Sequence, residues 1–136
     1  MAKWTMDLTE YARKKNVEVK EIRKAYAFAL YSSIVRKTPV DTGRARGNWN
    51  VSVGSPDGSV DEKITKSQVT AKMKKNEDEL EKARGDESIF ISNNLPYIQK
   101  LENGGSNQAP LGMVGVTLAN NENIFNAAVK AVKGGK

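Results

Sequence analysis

Asp41-Thr42-Gly43 spells the triplet that carries the catalytic carboxylate of aspartic proteases, and it lies inside the chain's densest run of unusual residues, TPVDTGRARGNWNV at positions 38–51. A protease of that kind sets two such triplets across a symmetry axis, where the carboxylates share one proton in a water-poor pocket. The flanks oppose this chemistry. Arg44 and Arg46 follow closely, and two cations beside a carboxyl hold it ionised instead of letting it stay neutral. The run reads better as a helix exit and turn, in which Asp41 or Thr42 caps exposed amides, Gly43 supplies a positive φ and Gly47 opens a strand. That leaves Arg44, Arg46 and Trp49 crowded around one bend, where a guanidinium fork suits a carboxylate of a neighbouring subunit or a phosphate backbone.

Other chemistries are thinner. The chain has no cysteine and no histidine, which removes disulfide frameworks, thiol nucleophiles, zinc sites built on those residues and any Ser-His-Asp relay. Arg84-Gly85-Asp86 spells a cell-adhesion tripeptide, yet just past a helical stretch it reads as loop. Asn50-Val51-Ser52 fits a glycosylation acceptor, which means nothing without a secretory signal. Gly54 to Gly58 lacks the Lys-Ser/Thr pair of a phosphate-binding loop. Asp61, Glu62, Glu77, Asp78, Glu79 and Glu81 lack the spacing of an EF-hand and read as a solvated helix face. No catalytic residue, cofactor or metal site is expected. Trp4, Trp49 and Tyr97 read as core or interface anchors in preference to stacking platforms for bases.

The elements that must position the bend follow from periodicity. Leu8, Tyr11 and Ala12 predict a short helix ending near Asn16, and Val19, Ile22, Tyr26, Ala29, Leu30, Ser33 and Ile34 predict the inward face of a longer second one. Thr38-Pro39 stops that helix, because a residue before proline is pushed out of the α region. NWNVSV alternates Trp49, Val51 and Val53 against Asn48, Asn50 and Ser52, the pattern of a half-buried strand. A turn-rich loop over Gly54–Ser59 and a solvated helix from about Ser67 to Arg84 follow. SIFISNN predicts a second strand, Pro96 opens a short helix through YIQKLENGG, and Gln108–Gly112 reads as extended. In the last helix Ile124, Phe125, Ala128, Val129 and Val132 form one apolar stripe. The fold class expected is α+β: a small antiparallel sheet packed with a long N-terminal helix and a C-terminal helix, in a single domain spanning 1–136, with 55–87 as a polar insertion of loop plus helix.

Composition sets the outer limits. With 136 residues and 38% hydrophobic content, the chain builds a real but modest core that self-assembly would reinforce. A net charge of +6 against 16 acidic residues gives a mixed surface, so nucleic acid ranks as one partner among several. No apolar run reaches the roughly 18 to 20 residues needed to span a bilayer, and the first residues lack the hydrophobic stretch of a signal peptide. The expectation is a soluble protein used inside a cell or in a particle assembled there, with no membrane partner.

Two separated motifs carry a resemblance. They are T-P-V-D-T-G-R-x-R-x-x-W at Thr38 to Trp49 and N-x-x-x-Y-x-x-x-L-E-x-G at Asn93 to Gly104, the second followed by Ala109-Pro110. In this order, behind a long helix and ahead of a C-terminal one, they resemble the HK97-type family of tailed-phage neck proteins, the tail-completion or head-tail joining proteins. After the proline this chain has Leu111-Gly112-Met113 where relatives often carry an aromatic-arginine pair. The resemblance implies a structural virion protein without catalysis, a small α+β domain that assembles into a homo-oligomeric ring of six- or twelve-fold symmetry. Such a ring serves as a tail-completion or tail-terminator layer in the head-tail connector. Its partners would be other neck proteins, the portal-side adaptor and the tail tube, with passing contact to genomic DNA in the ejection channel, and it would be built in the bacterial host cytoplasm. Under this reading Asp41, Thr42, Gly43, Arg44, Arg46 and Trp49 fix the turn and one subunit boundary, while Tyr97 and Glu102 anchor the second motif against it. The rival reading is a small basic nucleic-acid-binding module that grips phosphates with Arg36, Lys37, Arg44 and Arg46.

Overall fold

The computed structural model describes residues 2–40 and 43–134, with side chains from residue 18 onward. One helix, α1 (Ala2–Lys37), opens the chain. The break expected near Asn16 is absent, because no glycine or proline interrupts the run before Pro39 and an asparagine weakens a helix by only about half a kcal/mol. At 1.5 Å per residue the 36-residue rod is about 54 Å long. It ends where Thr38-Pro39 requires.

A single turn, α2 (Arg44–Gly47), leads into β1 (Trp49–Val53). A short 3₁₀ turn and α3 (Val69–Glu81) precede β2 (Ile89–Asn93), which pairs antiparallel with β1 from Trp49↔Asn93 to Val53↔Ile89. Then come α4 (Ile98–Glu102), α5 (Val114–Ala119) and α6 (Asn121–Gly134). The mixed architecture with a two-stranded antiparallel sheet and long helices at either end is the one expected. Among the described residues no helix is long and apolar enough to cross a membrane.

The core joins α1, β1, α3 and the turns before α5 through Tyr31, Val35, Trp49, Val51, Leu80 and Met113. α6 runs antiparallel along α1, since Glu18 meets Lys133 at 3.4 Å and the Tyr26 and Phe125 rings meet edge to face at 5.2 Å. α1 is therefore clasped from two sides, and its buried face is rotated from the expected one. Ala27, Tyr31, Ser32 and Val35 are buried beside Ser33 and Ile34, whereas Val19 is 61% exposed. Small residues at 27, 32 and 33 permit this close approach, and Ser33 shares a buried hydrogen bond with Thr117 of α5 at 3.1 Å.

The expected strand alternation does not form, and α3 is solvated on its charged outer side while its other side is buried. Asn48 and Asn50, expected on an open face, are buried like Trp49 and Val51, because residues 57–61 fold back over that side. Asn48 Nδ2 donates to the Asp61 carbonyl at 2.8 Å and its Oδ1 accepts from the Asp61 N–H at 2.7 Å, as a peptide group in a ladder would. The Asp57 and Ser59 carbonyls are held by Asn94, Ser92 and Asn50. α3 lies along the outer edge of β1 and buries Asn76 and Leu80.

Asn76 joins three elements. Its Nδ2 donates to the Trp49 carbonyl and to Tyr31 Oη, both at 2.8 Å, and its Oδ1 accepts from the Val51 N–H at 3.3 Å. These are groups that β1 turns away from β2. The outer edge of β1 is thus occupied at Trp49 and Val51 from within the chain, which closes that stretch to pairing with another copy. Burial raises the Tyr31 phenol's pKa, with the Asn76 bond opposing in part, so the ring stays neutral. Arg84-Gly85-Asp86 forms the loop from α3 to β2, pinned by the Arg23 guanidinium donating to the Glu87 carbonyl. Replacing Asn76 by alanine orphans two backbone groups and a phenol, so an Asn76→Ala variant should lose about 2–4 kcal/mol of stability, read as a lower urea midpoint with an unchanged slope.

Candidate functional site

The bend is built by mutual constraint between the helix end and the insertion. Gly43 has φ +84°, and a Cβ there would lie 2.4 Å from the backbone nitrogen of Lys66. Glycine is required twice over, by conformation and by contact. Gly47 answers a different demand, since a Cβ would strike the Ile64 side chain at 2.6 Å. The Lys72 amine, whose pKa burial lowers with help from nearby Lys75, donates to the Gly47 carbonyl at 3.1 Å.

Arg46 turns back onto α1. Its Nε donates to the Thr38 carbonyl at 2.7 Å and Nη2 to the Arg36 carbonyl at 2.9 Å, satisfying acceptors that a helix C-terminus leaves open. Thr38 is the hub of this corner, because its hydroxyl donates to the Ile34 carbonyl at 2.7 Å and accepts from Trp49 Nε1 at 2.9 Å. Lys37 Nζ donates to Ser33 Oγ at 2.6 Å. Of the four cations expected in a phosphate grip, Arg46 and Lys37 are therefore engaged inside the fold, while Arg36 and Arg44 are exposed.

Trp49 is only 5% exposed. It belongs to the core, with its indole N–H on the Thr38 hydroxyl. Asp41 and Thr42 lie outside the described residues, and so does the side chain of Trp4.

The second motif separates into two parts. Tyr97, 37% exposed at the start of α4, lines a cleft of about 410 Å³ together with Leu101 and Ser106, opposite Pro39, Gly43 and Arg44. One bond ties the motifs together, Asn93 Nδ2 to the Ala45 carbonyl at 3.0 Å, and the Val40 N–H donates at 3.0 Å to Gln108 Oε1, just beyond the second motif. Glu102, expected to press against the first motif, points elsewhere. Its Oε1 accepts from the N–H groups of Met113 and Val114 at 3.0 and 2.9 Å, and its Oε2 from Gly115 at 2.9 Å. A carboxylate at the start of α5 meets amides that the helix cannot bond internally. Burial pushes the Glu102 carboxyl up, but the amides of Val114, Gly115 and Met113 together outweigh it and hold the group below the usual carboxylate range.

The segment expected to be extended, Gln108–Gly112, instead makes two successive turns, with the Ala109 N–H on the Ser106 carbonyl and the Gly112 N–H on the Ala109 carbonyl, each at 3.1 Å. Pro110 and Gly112, at φ +86°, are turn residues in turn positions, and they leave Leu111 79% exposed at the tip. Among the described residues no group of acidic side chains gathers as a cation site would require. The structural residues missed from sequence are amides, above all Asn76, which sits between Met73 and Leu80 at helical spacing and so carried a readable signal.

Converting Glu102→Gln should lower stability at neutral pH by about 1–2 kcal/mol. Because the folded pKa is lowered, this contribution is present above the unfolded carboxyl's value of about 4.3 and disappears as pH falls through the folded one. Thermal melts of the two proteins should therefore converge in acid. Removing the guanidinium in Arg46→Ala should destabilise by about 1–2 kcal/mol, with Arg46→Lys recovering little, since one ammonium does not span two carbonyls as the fork does; chemical denaturation of both variants checks it. In comparisons with known proteins, no family model, no curated protein and no solved structure matches this chain.

Proposed function

We propose that this chain is a structural component of a tailed-phage virion, a ring-forming neck protein in the tail-completion or tail-terminator layer between portal side and tail. The observation that carries the reading is the cleft at which the two resemblance-bearing motifs meet. Gly43 and Arg44 of the first line it together with Tyr97 and Leu101 of the second, although Thr38 and Asn93 lie 55 positions apart in the sequence. An exposed arginine beside a partly exposed tyrosine is the pairing that protein interfaces favour. Beside the cleft, Arg46, Thr38 and Trp49 tie the end of α1 to β1, which suits a surface that must meet a neighbour in one geometry.

In this reading copies join head to tail around the axis, and the ring docks its two faces to the portal-side adaptor and the tail tube. Arg36 and Arg44 are exposed at the surface and would be the cations nearest to DNA passing through the channel. A phosphate grip built from all four basic residues is the less supported alternative, since Arg46 and Lys37 serve the fold.

Mass measurement and negative-stain images of the purified protein, free of nucleic acid, should show particles of one stoichiometry with a central opening. Arg44→Glu combined with Tyr97→Ala should reduce them to smaller species while leaving the circular-dichroism spectrum intact. A lone monomer whose DNA affinity falls steeply between about 50 and 200 mM salt would favour the nucleic-acid module instead.

A further inference from the structure

α3 carries its charges the wrong way round. A helix favours acidic residues in its first turn and basic ones in its last, but α3 has neither. Lys72, Lys74 and Lys75 fill its N-terminal half, while Glu77, Asp78, Glu79 and Glu81 fill its C-terminal half. The ion pairs from Lys74 to Glu77 and Asp78, at 3.6 and 3.1 Å, also run lysine-first, the weaker orientation. The helix's own stability does not account for this arrangement.

The outer face is available. Asn76 and Leu80 turn inward, and Lys74, Asp78 and Glu81 are each more than half exposed. Glu81 also lies 3.6 Å from Lys24 of α1, a pair in which the lysine side chain is 18% exposed and the glutamate 66%, so Glu81 stands at the edge of this face and Lys74, Lys75 and Asp78 make its centre. Ala71 and Thr70, both exposed, keep the N-terminal half low enough for another helix to come close.

We infer that this face of α3 docks against the same face of a second copy, the two helices antiparallel about a twofold axis near their middle. A half-turn about that axis carries the basic half of one helix onto the acidic half of the other, so a second copy has the complementary pattern by construction. Lys74 and Lys75 of each copy then stand by Asp78 and Glu81 of its mate, and each helix dipole is opposed by its antiparallel neighbour. The contact is isologous, unlike the head-to-tail contact that closes a ring. It pairs subunits, or whole rings, back to back, and it stands whether or not the ring reading does.

The test is a charge swap read by sedimentation and native mass. Wild-type protein at about 50 mM salt should pair, and the pairing should weaken at least tenfold by about 500 mM. K74E/K75E makes the face wholly acidic and D78K/E81K makes it basic, so each alone should remain unpaired, while an equal mixture should form one-to-one mixed pairs. The chain contains no cysteine, which permits a second measurement that leaves the acidic and basic clusters in place: A71C mixed with K82C should give a disulfide-linked heterodimer under mild oxidation, and neither alone should cross-link. Wild-type sedimentation that ignores salt, a charge-swap mixture that stays apart, or cross-linking as efficient for either cysteine variant alone would overturn the proposal.

Discussion

Two strands make a poor sheet, because each outer edge presents backbone donors and acceptors that must find partners or water. The Asn76 amide settles this for β1. By taking the Trp49 carbonyl and the Val51 N–H together it acts as one residue of a third strand, and its remaining hydrogen binds Tyr31. α1, β1 and α3 are locked through one side chain. Asn48 does the same for residue 61, so a chain with a modest hydrophobic share stiffens its core with amides where a larger protein would add strands. Such networks hold only when every member is satisfied.

The arginine-rich bend obeys the same rule at a helix end. Pro39 cuts α1 short, its last carbonyls need donors, and Arg46 supplies two of them. The neighbouring Gly43, jammed against Lys66, lets the chain reverse within a few residues. The two arginines of the motif thus divide their labour, Arg46 inward and Arg44 at the surface. This division places an aromatic and a cation from distant motifs on one cleft without leaving the turn itself unsupported.

Much of this is legible in the sequence. Thr38-Pro39 marked the helix end, Gly43 the positive φ, NWNVSV and SIFISNN the strands, and the 124–132 stripe the last helix, because each rests on local sterics or short-range period. What stayed hidden depends on distant neighbours. The buried face of α1 follows from being gripped on two sides, which no single period encodes. The burial of Asn48 and Asn50 follows from a loop that returns only in three dimensions. Glu102 looked like a surface anchor because its amide partners lie eleven to thirteen residues onward.

The amide ties over residues 57–61 bear on how the chain would meet any partner. A short loop that follows Pro56 and contains Gly58 would, if left loose, have to be ordered upon docking, and that would subtract from affinity. Here the tract is already fastened to its own strands. A partner meeting this side would meet a preformed surface, and encounter orientation, not refolding, would set the pace.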